Sequence, residues 1–366
     1  MEYNNAVLTL APHGTPDPFV VYHDHDGKFY MTYTTGDHIQ IWESDDLPGF
    51  LTCRKKIIVW RPPRNTDHSA GIWAPELHSI SGRWYILYCA EQPGVGNKSH
   101  RMFLLGGPPS NQSPSLDHAQ HPGAWTDLGH IRGMLTEQWA IDGTFFALHG
   151  ALYMVYAGSE FGADLDRFRE SRLFIVRMRD GDPTTVASTP PVEISRPAHA
   201  WEWEGETGVN EGPQWLESPD GAWKGIVYSA GGSWCQNYKM VVLQYLGGEP
   251  LDARSWRKGD RPFCRSARSV RGPFGPGHGN FVNLGPETFA VFHATDGPND
   301  GWENRKARCQ RVMWTREGPT MDGHVGICVD GVEAFHAGPS SVKKKSTTKE
   351  ILGDLKAGYK KYTSGW

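Results

Sequence analysis

Apolar residues in this chain fall into short runs that come in pairs across a glycine-containing turn. The runs are FVVYHDHDGKFYMTYTT from Phe19, LHSISGRWYILYCAE from Leu77, TFFALHGALYMVYAGS from Thr144 and NFVNLGPETFAVFHATD from Asn280. β-Branched and aromatic residues flank each turn, which is the chemistry of a β-hairpin. A further strand-like run follows Thr207–Gln214. Ahead of each stands a polar residue beside Gly or Pro: Asp17, Glu76, Asp142, Glu211 and His278. Glycine and proline restrict or widen the backbone there, so the chain path rather than a helix face aims these side chains.

The five openings recur roughly every 60 to 70 residues, room for four strands and their loops, which is the arithmetic of a propeller blade. Third strands are expected at 38–42, 100–105, 172–176, 239–243 and 308–314, and shorter, more polar outer strands at 56–60, 125–128 and around Trp256. The expected fold is all-β, a single-domain five-bladed β-propeller over residues 1–333. A compositionally distinct tail follows at 334–366, with Lys343–Lys345 and an amphipathic helix through Ile351, Leu352, Leu355 and Tyr359. In a propeller the first strand of each blade lies innermost, so the five polar openings converge on one mouth of the central channel. A single Asp-Pro or Asp-Gly ordinarily caps a turn. Three acids at corresponding positions, Asp17, Asp142 and Glu211, point instead to a site.

Composition narrows the partners. The 366 residues are 38% hydrophobic and 21% charged, enough for a real core, and 43 glycines with 26 prolines suit many tight turns. A net charge of −4, without a basic stripe interleaved with aromatics, leaves no footprint for nucleic acid. No run reaches membrane-spanning length, and MEYNNAVLTLAP has no signal-peptide pattern, so the sequence as written reads as cytoplasmic, or as extracellular if it is a mature form. Sequons at Asn97 and Asn111 add little weight to a secretory history. The six cysteines lack CxxC spacing and read as free core thiols, with a disulfide among them left open. A monomer is expected.

The segments Pro16–Val20, Ile72–Glu76, Ala140–Thr144, Asn210–Pro213 and Gly275–His278, in that order, resemble glycoside hydrolase family 43. That resemblance implies a five-bladed propeller that hydrolyses α-L-arabinofuranosides or β-xylosides with inversion. GRWYILY, His100–Met102 and Asn304–Gln310 are similar to its single-domain arabinofuranosidases, with β-xylosidase, endo-arabinanase and a non-catalytic sugar-binding propeller as the rival readings. The C-terminal β-sandwich that many relatives carry is not expected in the sequence as written.

Glycoside hydrolysis with inversion needs a protonated carboxyl, an ionised one, and roughly 6.5 to 9.5 Å between them for a water. Glu211 suits the acid, in a Gly/Pro-framed segment near Trp201, Trp203 and Trp215 whose apolar walls raise a carboxyl pKa. Asp17 suits the base, and the resemblance assigns the same two roles. It also makes Asp142 the residue that keeps the proton on Glu211 and orients it. Trp73 offers a flat face to a sugar ring or packs in the core. By resemblance Glu76 and Thr144 join the substrate contacts, Arg308 reaches toward the base and a sugar hydroxyl, and His278 lies on the axis, where it helps hold a calcium through water; read without the resemblance, Arg308 is a sheet-edge arginine paired to a carboxylate and His278 a packing residue. No cofactor is required, and the partner is an oligo- or polysaccharide. The HDHD run at 23–26 reads as an exposed hairpin turn.

Overall fold

The computed structural model describes residues 3–267 and 272–338. The Lys343–Lys345 run and the amphipathic segment around Leu355 lie outside them.

Five antiparallel sheets follow one another along the chain. Blade I runs through strands Phe19–His23, Lys28–Thr32, Ile39–Ser44 and Lys55–Trp60. Blade II comprises Ala70–Ile80, Arg83–Glu91, Arg101–Pro109 and Thr126–His130, and blade III Ala140–Leu148, Ala151–Gly158, Arg172–Arg179 and Asp182–Val186, with Val192–Ser195 added beside the third strand. Blade IV comprises Asn210–Glu217, Lys224–Ala230, Lys239–Tyr245 and Trp256–Lys258. Blade V contributes Phe274–Leu284, Glu287–Thr295 and Lys306–Thr315. Its next strand comes from the other end of the chain: Ala6–Thr9 pairs antiparallel with Lys306–Thr315, Val7 opposite Gln310. This closure was not legible in the four residues AVLT, which carry no repeat context.

Middle strands such as Lys224–Ala230 are buried on both faces, because every blade is sandwiched between two others. That is why they read as continuous apolar runs rather than alternating ones. Ile41 and Trp60 of blade I pack with Ile86 and Tyr88 of blade II, Leu87 and Met102 of blade II with Phe145 and Val155 of blade III, and Val227 and Met240 of blade IV with Ala290 and Phe292 of blade V. A short helix, Val332–Ala337, crosses the expected boundary at 333 and buries Phe335 in the cluster that contains Phe289 and Leu8. All six cysteines are free thiols. Among the described residues no helix is long and apolar enough to cross a membrane.

Candidate active site

The first strand of each blade has a left-handed residue where it meets the channel. Asp17, Ala74, Asp142, Gly212 and His278 have φ of 54°, 43°, 55°, 53° and 48°. In blades II to V these residues lie inside breaks in the ladder, between Trp73 and Glu76, Ile141 and Thr144, Glu211 and Gln214, and Gly277 and Asn280. Such bulges re-aim side chains, and Asp, His and Gly tolerate this backbone better than most residues. The five openings expected from the sequence are therefore not all equivalent. Asp17, Asp142 and His278 are themselves the left-handed residue, whereas Glu211 stands one residue before it and Glu76 two residues after it.

That offset decides what faces the cavity. Asp17, Asp142, Glu211, His278 and Trp73 line one opening of about 810 Å³ at the channel mouth. Glu76 and Thr144 lie a step deeper, almost fully buried. Glu76 accepts hydrogen bonds from Gln214 Nε2 and from His78 Nε2, the latter at 2.9 Å, so it braces the axis beneath the cavity instead of lining it. Trp73 stacks on His100 with centroids 3.9 Å apart while also lining the cavity, so it combines both roles considered for it.

Arg308 is a correction. Its guanidinium is buried and bonds Asp296 Oδ1 at 2.5 Å, Ala294 O at 3.2 Å and Thr9 Oγ1 at 3.0 Å, fastening the N-terminal strand to blade V away from the cavity. The arginine at the base is Arg305, whose Nη1 lies 3.2 Å from Asp17 Oδ1. Three further contacts fix Asp17. Thr34 Oγ1 donates to Oδ2 at 2.7 Å and accepts from the Ala74 amide, His278 Nδ1 lies 3.3 Å from Oδ1, and the Asp17 amide donates to His293 Nδ1 at 3.0 Å.

Glu211 has a different setting. Tyr238 donates its hydroxyl proton to Oε1 at 2.9 Å, and the Tyr238 ring stacks on His293 at 5.5 Å and 7°. Gly277 makes room for that ring, since a Cβ there would sit 1.9 Å from Tyr238 Cε1. The tryptophans expected around Glu211 lie elsewhere: Trp215 stacks on Phe146 at 4.3 Å, Trp201 on His199, and Trp203 packs on Gly208. Asp142 is tied to the chain beside Glu211 by the Gly212 amide, which donates to Oδ2 at 3.0 Å.

Electrostatics separate the two ends. Burial would raise the Asp17 carboxyl, but the Arg305 and His278 cations outweigh it and hold it well below the usual carboxylate range. Burial and then the Asp142 charge push Glu211 upward. Asp142 is raised as well by burial, and the two titrate together. Both feel the His278 cation, and the Tyr238 hydroxyl favours the Glu211 anion as the Gly212 amide favours that of Asp142; burial and the neighbouring charge push Glu211 higher, to about 8 against about 6, so the shared proton rests on Glu211. Burial would lower the His278 imidazole, yet Asp142 and the bond to Asp17 hold it up at about 9. Burial and the Arg305 charge lower His293 to about 4, so it stays neutral and accepts the Asp17 amide.

Arg305, Tyr238, Thr34 and His293 were not singled out in the sequence, although a rule of the fold locates two of them. Strands one and three of a blade run the same way, so the residue just before a third strand stands at the same mouth as the first-strand opening. His100, Ser171, Tyr238 and Arg305 all hold that position, and the last two touch Glu211 and Asp17.

A five-bladed propeller with an ionised and a protonated carboxyl facing one cavity belongs to the class of glycoside hydrolases. The sequence signature described as Glycosyl hydrolases family 43 matches residues 3–320, and the chain belongs to that family. It is 31% identical over 294 residues to an extracellular exo-alpha-(1->5)-L-arabinofuranosidase of Streptomyces chartreusis, covering 78% of this chain and 83% of that protein. A protein of the same description from Streptomyces avermitilis is 30% identical over 84% of this chain, which spans only 62% of that protein's length. The crystal structure of an alpha-L-arabinofuranosidase from Lactobacillus brevis superposes with a TM-score of 0.76 at 28% identity, covering 90% of this chain and 98% of that one.

Proposed function

We propose that this chain is an inverting exo-glycosidase that removes terminal α-L-arabinofuranosyl groups from arabinan or arabinoxylan-type polysaccharides. The observation that carries the reading is the pairing, across one cavity, of Asp17 held ionised with Glu211 held protonated. Asp17 is the general base that takes a proton from water as that water attacks the anomeric carbon. Glu211 is the general acid that gives its proton to the departing oxygen. Asp142 keeps that proton on Glu211 through its charge. Arabinose is favoured over xylose by the named activities of the relatives at about 30% identity. Every residue named here comes from one chain, and we take the protein to act as a monomer on a polysaccharide.

Monosaccharide release from aryl arabinofuranoside, aryl xyloside and debranched arabinan tests the reading, with proton NMR of the first-formed sugar. Arabinose of inverted configuration is the expected product. Xylose release, shortened arabinan without free arabinose, or a retained anomer would overturn it in turn on sugar, exo action and mechanism.

Tyr238 supplies a prediction of its own. Its hydroxyl occupies Glu211 Oε1, leaving Oε2 to carry the proton. The bond also stabilises the carboxylate, so Tyr238→Phe raises the Glu211 pKa further and moves the basic limb of the kcat profile upward. The lost orientation lowers kcat about tenfold, the scale of one neutral hydrogen bond. An unmoved basic limb would separate Tyr238 from the acid.

The chemistry uses two carboxyls and water, and no step needs a cofactor. The axial calcium expected through His278 would be held through water rather than by a cluster of direct ligands, and among the described residues no three His, Cys, Asp or Glu side chains gather as such a cluster. Dialysis against a chelator is expected to leave kcat/KM unchanged, whereas a loss restored by calcium would put the cation back on the axis.

A further inference from the structure

Two tryptophans at the cavity rim have no part in the chemistry derived above. Trp234 and Trp302 are 43% and 53% exposed, the two tryptophans that stand open among the described residues, and both line the cavity that holds Asp17 and Glu211. Their rings meet edge to face at 6.1 Å, and Trp302 Nε1 donates to Ser233 Oγ at 3.2 Å. The backbone holds them in place. Gly232 leaves the space that Trp234 folds into, since a Cβ there would lie 2.5 Å from Trp234 Cε2. Trp302 opens a 3-10 turn after Gly301, whose φ is 74°, and its carbonyl accepts from Arg305 Nε at 3.0 Å. Large apolar faces fixed open at the edge of a cavity are costly in water unless a ligand covers them.

Their position names the ligand. Trp234 stands in the loop between the second and third strands of blade IV, the blade that carries Glu211, and that loop ends at Tyr238, the donor to Glu211. The acid protonates the departing oxygen, so the leaving group exits on the Glu211 side. A terminal ring seated between Asp17 and Glu211 would have Trp73 and Ile141 in the wall beside it.

We infer that Trp234 and Trp302 form a leaving-group subsite that stacks the second sugar ring of a carbohydrate chain, so that they select oligosaccharide and polysaccharide substrates over simple glycosides. This rests on the glycosidase reading above. Aryl glycosides are poor probes because a nitrophenyl ring would stack there too. The comparison is therefore between α-1,5-arabinotriose and methyl α-L-arabinofuranoside, which share an alkoxide leaving group and differ in the second sugar. Trp302→Ala and Trp234→Ala are expected to lower kcat/KM for the trisaccharide about five- to tenfold each, mainly through KM, with the methyl glycoside within about twofold of the parent enzyme. Trp302→Phe retains a flat ring and recovers most of the loss. Equal losses on both substrates would assign the pair to the terminal ring or to loop integrity, and unchanged kinetics on both would show that they touch no sugar; either result overturns the subsite. Should the unsubstituted enzyme release xylose instead, the arabinose reading fails by itself, and the same ratio measured on xylotriose and methyl β-D-xyloside still decides the subsite.

Discussion

Asp17→Asn is expected to lower kcat by about a thousandfold or more on every glycoside, whatever the leaving group, within the range that general-base catalysis supplies. Asparagine is the informative change because position 17 has φ of 54°, a backbone that Asn accepts and Ala resists. The amide keeps the volume and still accepts from Thr34, but it cannot take a proton from water. Its neutrality also leaves Arg305 and His278 facing one another without the carboxylate between them, so a thermal melt should accompany the kinetics. A folded variant whose activity returns with a dinitrophenyl leaving group would show that position 17 assists departure rather than attack, and the assignment of base and acid would have to be exchanged.

Sequence reading found the blades because each hairpin is a complete local signal. It missed the closing strand Ala6–Thr9 because four apolar residues acquire meaning only from their partner Lys306–Thr315, some three hundred positions away. The acids were legible for a related reason: Gly and Pro mark where the backbone turns out of the ladder. What those residues could not convey was the phase of each bulge. Glu76 looks like Glu211 in sequence, within two residues of a proline and ahead of a strand-like run, but it follows its left-handed residue Ala74 by two positions, whereas Glu211 precedes Gly212 by one. One step along a strand changes the direction of a side chain, so one carboxyl meets the cavity and the other the axis.

The arginine error has the same physical origin. Arg305 and Arg308 sit three residues apart in Asn304–Gln310, and motif likeness alone does not choose between them. Arg305 precedes the strand and so stands at the mouth, while Arg308 lies within it and turns toward Ala6–Thr9. The apolar setting of Glu211 likewise came from unexpected residues. Tyr238, seated over Gly277, encloses it, and the tryptophans adjacent in sequence point into the packing between blades or onto their own loop.

Glu211→Ala should produce a loss that depends on the substrate, because proton donation matters in proportion to the basicity of the leaving group. Arabino-oligosaccharides depart as alkoxides and need the proton, so kcat is expected to fall about a thousandfold. Dinitrophenolate departs as a stable anion, and its glycoside should lose less than about tenfold. Asp142→Asn tests the source of the proton's persistence. The Asp142 charge, after burial, raises the Glu211 pKa, so removing it lowers that pKa, and the protonated acid is lost at a lower pH. The basic limb of the kcat profile therefore moves downward in Asp142→Asn, opposite to its direction in Tyr238→Phe. The side-chain carbonyl of the substituted asparagine can still accept the Gly212 amide, so the strand beside Glu211 keeps its place and the shift reports charge rather than collapse. Basic limbs that moved together in the two variants, or a Glu211→Ala enzyme equally impaired on both leaving groups, would remove Glu211 from the role of proton donor.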